Sequence, residues 1–342
     1  MTRIARPWLL PLVPAYRLAL ALREMQFRTG LKPVRRLRWP VVSVGNLSAG
    51  GAGKTPLVIA LARALTAHGV DVDVLSRGYG RRSRLPLLVD PHGIAEDFGD
   101  EPLVIARQTQ APVYVAAERY EAGFMVERAS RQAGESARHG TGVHLLDDGF
   151  QHRQLARDVD ILLLSRADLR DRLLPAGNLR ETSRAAERAD VIAISADEPE
   201  LGEWVRMKRW EKQVWRLHRR MDVPEADGPV AAFCGIARPE QFFAGLEGAG
   251  LHLAARMAFA DHHRYTHGDL ERIAAAASRG GAAVLLTTEK DCARLGELAQ
   301  NFPAQVPLKS VALRMEIDDE ATAIDWLLRR IPAPNAANAF PK

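Results

Sequence analysis

The chain has 342 residues, 47% of them apolar and 6% aromatic, with 26 glycines and 20 prolines. That length allows two packed domains, and the composition excludes disordered, collagen-like and disulfide-scaffold classes. The formal charge of +5 is local: residues 1–40 hold nine Arg or Lys against one acid, Glu24, leaving 38 bases and 41 acids, a net of −3, over residues 41–342. A near-neutral body with a basic N-terminus points to a local partner for that segment rather than to nucleic acid.

The most apolar stretch, Trp8 to Leu22, is interrupted by Pro11, Pro14 and Arg17. A spanning helix needs ~20 mostly apolar residues, so this segment is not expected to cross a bilayer. Ala19-Leu20-Ala21 has the form of a signal-cleavage site, but the two prolines break the apolar core such a signal requires. From Ala15 onward Leu18, Leu22 and Met25 recur at i, i+4 and i+7 while Arg17, Glu24 and Arg28 gather on another face, which predicts an amphipathic helix. Such a helix either packs on the body or lies in a lipid interface, where each base near anionic headgroups contributes ~1 kcal/mol. RNA binding is a third reading, but no RNA-recognition motif or basic–aromatic interleaving continues beyond residue 40. Cys234 and Cys292 stand 58 residues apart without CxxC spacing, which fits a reducing compartment and argues against a Cys-rich zinc site.

From residue 41 to about 195, short β-branched runs alternate with longer helical stretches. Strands are expected at Val41–Val44, Val72–Leu75, Val113–Val115, Val143–Leu146, Asp160–Leu164 and Val191–Ile194, the pattern of βαβ units on a mostly parallel sheet. The pattern loosens around residues 210–229, with Pro224 and Gly228 in MDVPEADGP. A second α/β run then follows in VAAFCGI, LHLAARMAF, AAVLLTTEKD and LKSVALRM. The expected organisation is a basic amphipathic segment (1–40), a phosphate-loop domain (41–212), a hinge (213–229), a smaller α/β domain (230–331) and a flexible tail (332–342).

The strongest local signal is VVSVGNLSAGGAGKTPLVIALARAL, an apolar strand, a Gly-rich loop, Lys54-Thr55 and an apolar-periodic helix. This is the context a phosphate-binding loop requires. Residues Ser48, Ala49, Gly50, Gly51, Ala52, Gly53, Lys54 and Thr55 are the expected nucleotide cradle. Its backbone N–H groups surround phosphate oxygens, Lys54 adds a cation at the β/γ-phosphates, and the Thr55 hydroxyl reaches Mg²⁺. The strict pattern places glycine where Ser48 stands. Downstream, VHLLDDGFQHR sets Asp147 and Asp148 at a strand end, the place of a metal-holding carboxylate. Taken alone, Asp-Asp-Gly is also a common turn.

Phosphate loops serve switches, motors and kinases alike. No NKxD-type guanine reader follows a later strand. Three clusters stand out instead: SRGYGRRSR (76–84), GDEP (99–102) and FADHHRYTHGDL (259–270). Phosphoryl transfer to an alcohol needs a base, cations for the phosphates and exclusion of water. An Asp–His pair supplies the first and an Arg-rich turn the second, although each cluster alone also reads as a surface loop or a helix cap. His263 and His267, at i, i+4, allow a metal reading that lacks a third ligand nearby. The competing functions are a nucleotide-switched binding protein of metallochaperone type and, below it, a phosphoesterase built on residues 261–263 and 147–148.

The motifs NLSAGGAGKTP, LSRGYGRR, GDEP, LLDDGFQHRQLARDVDIL, LLPAGNLRE, FCGIARPEQFF, FADHHRYT and LTTEKD, in this order, resemble the tetraacyldisaccharide 4′-kinase family over nearly the whole chain. The Ser48 departure matches that family as well. The resemblance implies a P-loop NTPase-type mostly parallel sheet sandwiched by helices, with a smaller α/β domain closing about a hinge and an N-terminal helix on the membrane. It implies transfer of the γ-phosphate of ATP, with Mg²⁺, to the 4′-hydroxyl of a tetraacyl-glucosamine disaccharide 1-phosphate, a lipid A biosynthesis step. Asp100 and His262 would form the catalytic dyad, with Tyr79, Arg81, Glu101, Gln151, His152 and Arg180 in supporting roles. A monomer on the cytoplasmic face of the inner membrane, without nucleic acid, is the implied setting.

Overall fold

A computed structural model describes residues 6–51, 53–132, 142–302 and 306–331. Ala52 and the expected tail at 332–342 lie outside the described residues. The strands are β1 (Val41–Asn46), β2 (Asp71–Ser76), β3 (Leu87–Leu88), β4 (Val113–Val115), β5 (Gly142–Asp147), β6 (Val159–Leu164), β7 (Val191–Ser195), β8 (Gln213–Asp222), β9 (Val230–Cys234), β10 (Leu253–Ala258), β11 (Val284–Thr288) and β12 (Leu308–Ile317). A 3₁₀ turn at Pro7–Leu12 leads into helix α1 (Val13–Arg28). The other helices are α2 (Lys54–Ala67), α3 (Ala95–Phe98), α4 (Asp100–Gln108), α5 (Arg119–Gln132), α6 (Arg166–Arg170), α7 (Glu200–Met207), α8 (Pro239–Gly248), α9 (His267–Arg279), α10 (Glu289–Leu295) and α11 (Glu320–Arg330).

All twelve strands belong to one sheet, ordered β10-β9-β11-β12-β8-β7-β6-β1-β5-β2-β4-β3. Two pairings are antiparallel, β12 with β8 and β3 with β4, and the rest are parallel. β1, β5 and β6 are buried along their whole length, as strands covered on both faces are. Helix α2 lays Leu57, Leu61 and Leu65 on one face of this half, with α4 and α11 beside it, and Leu37, Leu75 and Val126 form a core on the other. In the second half, Phe242, Phe243 and Leu246 of α8 cover one face and Leu270, Ile273 and Ala277 of α9 the other.

Residues 213–222, inside the segment where the sequence pattern loosens, form the ten-residue strand β8. Its first part, Gln213–Leu217, pairs with β7, and its second, Leu217–Asp222, pairs with β12. Only Trp215 and Leu217 are fully buried, with Val214 and Met221 partly buried, and the polar run His218-Arg219-Arg220 breaks the alternation. Because β12 runs against β8 beyond the end of β7, the C-terminal ends of β1, β6 and β7 face those of β9 and β11. Ligands of parallel α/β sheets bind at such strand ends.

A fully buried ion network braces the first half. His144 Nδ1 lies 2.8 Å from Asp73, and the Glu127 carboxylate accepts from the backbone N–H of Trp39 at 2.8 Å. Burial works against the charged imidazole, but Asp73 and then Glu127 outweigh it and push its pKa up to about 9. No described helix is long and apolar enough to cross a membrane.

Candidate active site

The phosphate loop leaves β1 at Asn46. Gly50, Gly51 and Gly53 have φ of 91°, 31° and 85°, the left-handed region that favours glycine. A second constraint acts on Gly51 and Gly53. Ala237 lies over Gly51, where a side chain would meet it at 3.3 Å, and Met315 and Arg219 lie over Gly53, where it would meet them at 2.9 and 3.0 Å. Ser48 bridges to Leu179, and Ala49 N–H donates to Asn178 at 2.8 Å, so LLPAGNLRE backs the loop. Lys54, 8% exposed, reaches Asn46 Oδ1 at 3.0 Å and Asp148 at 3.4 Å. A cleft of about 530 Å³ opens beside it, lined by Lys54, Thr55 and Glu101 from one half and by Arg219, Arg238 and Lys290 across from them.

The two acids at the end of β5 divide. Asp148, at φ 50°, is held by Arg180 at 2.9 Å and by Lys54; burial opposes its charge, but Lys54 and Arg180 hold its carboxyl below the usual range. Asp147 accepts from Ser76 on one oxygen, and its buried Oδ1 has no hydrogen-bond partner among the described residues. Burial, Glu101 and Asp148 push its pKa up to about 7. An orphaned buried carboxylate oxygen near the phosphate-loop lysine fits Mg²⁺, which needs one or two carboxylates and otherwise takes phosphate and water oxygens. No described group of three or more His, Cys, Asp or Glu is arranged to hold a metal.

Asp100 opens α4 from the first half, 4% exposed, and His262 comes from the second; Nδ1 and Oδ2 are 3.2 Å apart. His262 has φ 58°, a conformation that costs a non-glycine residue ~1 kcal/mol or more, and its N–H donates to Gly235 at 3.1 Å. Tyr79 tilts against its ring at 5.2 Å. The hydrogen bond to Asp100 raises the His262 pKa, against burial and Arg294. Burial opposes ionisation of Asp100, yet His262, Arg294 and Lys290 keep it well below the carboxylate range.

A model of the Tetraacyldisaccharide-1-P 4'-kinase family matches residues 5–332. The chain belongs to this family. A tetraacyldisaccharide 4'-kinase of Koribacter versatilis is 40% identical over 94% of this chain and 98% of its own length, and one of Parvibaculum lavamentivorans is 38% identical over 85% and 83%. A solved structure of LpxK from Aquifex aeolicus, described as an "apo" form in complex with ATP, is similar at TM-score 0.74 and 31% identity, over 96% of this chain and 99% of that one.

The remaining expected site residues of this family member fall into two groups. Gln151 donates to Asn46 O at 2.9 Å and accepts from Arg180 at 3.2 Å. Glu101 pairs with Lys290 across the cleft. His152 packs below them with a buried Nε2 that has no described partner. Burial and then Arg119, Arg157, Arg23 and Arg77 draw its pKa down to about 3. Arg81 is not brought in: it turns back on its own loop, donating to Leu85 O at 2.7 Å. His263 is engaged with Asp269 at 3.1 Å and stacks on Phe259. Sequence reasoning missed Asn46, Arg119 and Arg294. Only Arg294 had a legible signal, one helical turn after the acid of TTEKD.

Proposed function

We propose that the chain transfers the γ-phosphate of ATP to the 4′-hydroxyl of a tetraacyl-glucosamine disaccharide 1-phosphate. The observation that carries this reading is the Asp100–His262 pair, assembled from both halves of the molecule next to Glu101, which lines the cleft with Lys54 and Thr55 of the phosphate loop. The loop amides and Lys54 bind the nucleotide's phosphates. Asp100 orients His262, which takes the proton of the 4′-hydroxyl as that oxygen attacks the γ-phosphorus, and ADP leaves. Asp147 and Thr55 are the residues suited to hold Mg²⁺, which when bound neutralises charge on the transferring group.

Arg119, Arg157, Arg23 and Arg77, the charges that act on His152, are the cations suited to the acceptor's 1-phosphate, since guanidinium forks grip phosphate well. The acyl chains belong at α1. Its Leu18, Leu22 and Met25 are more than half exposed, while Tyr16 donates to Arg180 O at 2.9 Å on the opposite face. We therefore place the protein as a peripheral monomer on the cytoplasmic face of the inner membrane, with the strand pair β8–β12 as the hinge between the phosphate-loop half and the smaller one. The metallochaperone-type alternative finds no metal-ligand cluster among the described residues.

The test is transfer from γ-labelled ATP to tetraacyl disaccharide 1-phosphate, against sugars and nucleosides. Asp100→Ala and His262→Ala should each cut turnover at least about a hundredfold with ATP affinity little changed, whereas Lys54→Ala should weaken ATP use itself. Full turnover in His262→Ala would end the dyad assignment.

A further inference from the structure

Helix α10 begins with Glu289 and Lys290, the last charged pair of TTEKD before Asp291, and it faces α4 with three polar contacts. Glu289 accepts from Gln108, Lys290 pairs with Glu101, and Arg294 pairs with Asp100. Arg294 is the most constrained of these. Its side chain is 7% exposed, and its guanidinium donates to Gly235 O at 2.6 Å, to Asp291 Oδ1 at 2.9 Å and, through Nε, to Asp100 Oδ2 at 2.7 Å. Asp291 is fixed in turn: it accepts from Gly235 N–H and from the Tyr265 hydroxyl, both at 2.9 Å, and from Thr288 at 2.6 Å. The guanidinium is therefore rigid on the half that carries His262, while the carboxylate it grips belongs to the other half.

Asp100 Oδ2 is the same oxygen that lies 3.2 Å from His262 Nδ1, and Arg294 itself comes within 3.5 Å of that nitrogen. We propose that Arg294 is a positioning residue for the phosphoryl transfer: it docks the Asp100 carboxylate against His262 when the halves meet and keeps the imidazole free to accept the hydroxyl proton. This rests on the kinase reading above and goes beyond it.

The physical problem it solves is general to His–carboxylate pairs. The carboxylate that orients a histidine also stabilises the imidazolium, and a histidine already protonated at neutral pH accepts nothing. Around His262 the raising charges are Asp100 from α4 and Asp261 from its own turn, with burial opposing them. Arg294 is the cation that works against both. Lys290 and Asp291 of α10 and Glu101 of α4 complete the charged surroundings of the Asp100–Arg294 contact, with the neutral hydroxyl of Tyr265 and the ring of Tyr79 filling the remaining sides. A cation a few ångströms from an imidazole shifts its pKa down by on the order of one unit.

The experiment compares pH profiles of kcat/KM for the full chain, Arg294→Gln and Arg294→Lys. Arg294→Gln should move the acid limb up by about one pH unit and lower plateau turnover, with the KM for ATP little changed. Arg294→Lys, which restores the charge without the fork, should bring the limb back towards wild type while turnover stays low. An acid limb in a folded Arg294→Gln identical to wild type, or a Lys variant no different from the Gln variant, overturns the proposal. A second readout is independent of catalysis: NMR titration of the His262 ring in the substrate-free chain should show its pKa rising in Arg294→Gln. A wild-type chain without transfer to the disaccharide 1-phosphate would sink the kinase reading, and the ring titration would still decide the role of Arg294.

Discussion

Asp147 and Asp148 are neighbours of identical chemistry, and their surroundings give them different work. Asp148 spends its lone pairs on Arg180 and Lys54, while Asp147 keeps one buried oxygen without a partner. Removing the Asp147 charge should therefore raise the Mg²⁺ concentration for half-maximal activity at least about tenfold. Magnesium titrations of Asp147→Asn at saturating ATP measure this, and a normal requirement there with a raised one in Asp148→Asn would reverse the assignment. The acids themselves were visible at a strand end after a phosphate loop. Which of them is spare was not, because Arg180 stands 32 residues away and only the fold delivers it. The same holds for Arg81 and Arg77, indistinguishable in SRGYGRRSR: one folds back onto Leu85 O and the other joins the charges about His152.

Helix α1 shows how far periodicity carries at the scale of an element. Leu18, Leu22 and Met25 predict a stripe, and the structure leaves that stripe open, with Trp8 and Leu31 exposed near its ends. The opposite face packs Val13, Tyr16 and Leu20 against the body, and Glu24 pairs with Arg153. The packed reading of the sequence pattern thus holds for one face, and the exposed stripe is the face that the interfacial reading would use. Deleting α1 would disturb Arg180 and Gln151 through Tyr16 and Arg23, so a surface change is the cleaner probe. Leu18→Glu with Leu22→Glu removes exposed apolar area and adds two like charges to an anionic surface, which should reduce co-sedimentation with anionic vesicles at least about tenfold. ATP affinity should not move, because exposed substitutions rarely shift stability by more than ~0.5 kcal/mol. Unchanged sedimentation would place the membrane contact elsewhere. β8 is the opposite case, an element that periodicity hid: its outer half meets β12 through residues such as Arg219 and Arg220 that read as a charged, irregular stretch.

Across the whole molecule, the alternation of strands and helices was enough to anticipate the mostly parallel sheet, but not the reversal that turns two sets of strand ends towards one cleft. That reversal depends on one antiparallel pairing, Leu217–Asp222 with Ala312–Ile317, whose partners stand from 90 (Asp222 with Ala312) to 100 (Leu217 with Ile317) positions apart. It has a mechanical consequence. The halves are joined through β8–β12, through the packing of β12 and α11 on α2, and where α10 faces α4. Nucleotide held between the phosphate loop and Arg219 or Arg238 should favour the closed arrangement, and at ~100 times its Kd a ligand that binds only that arrangement stabilises it by ~2.7 kcal/mol. Hydrogen exchange on the full chain with ATP and Mg²⁺ should then slow α4 and α10 together, by up to about a hundredfold where their exchange proceeds through opening of the cleft. The central strands β1 and β5, buried in either arrangement, should exchange as before. Slowing confined to the phosphate loop, with α4 and α10 unmoved, would mean that the halves do not open about β8–β12, and the pairing of Asp100 with His262 would then be a permanent feature of the folded chain.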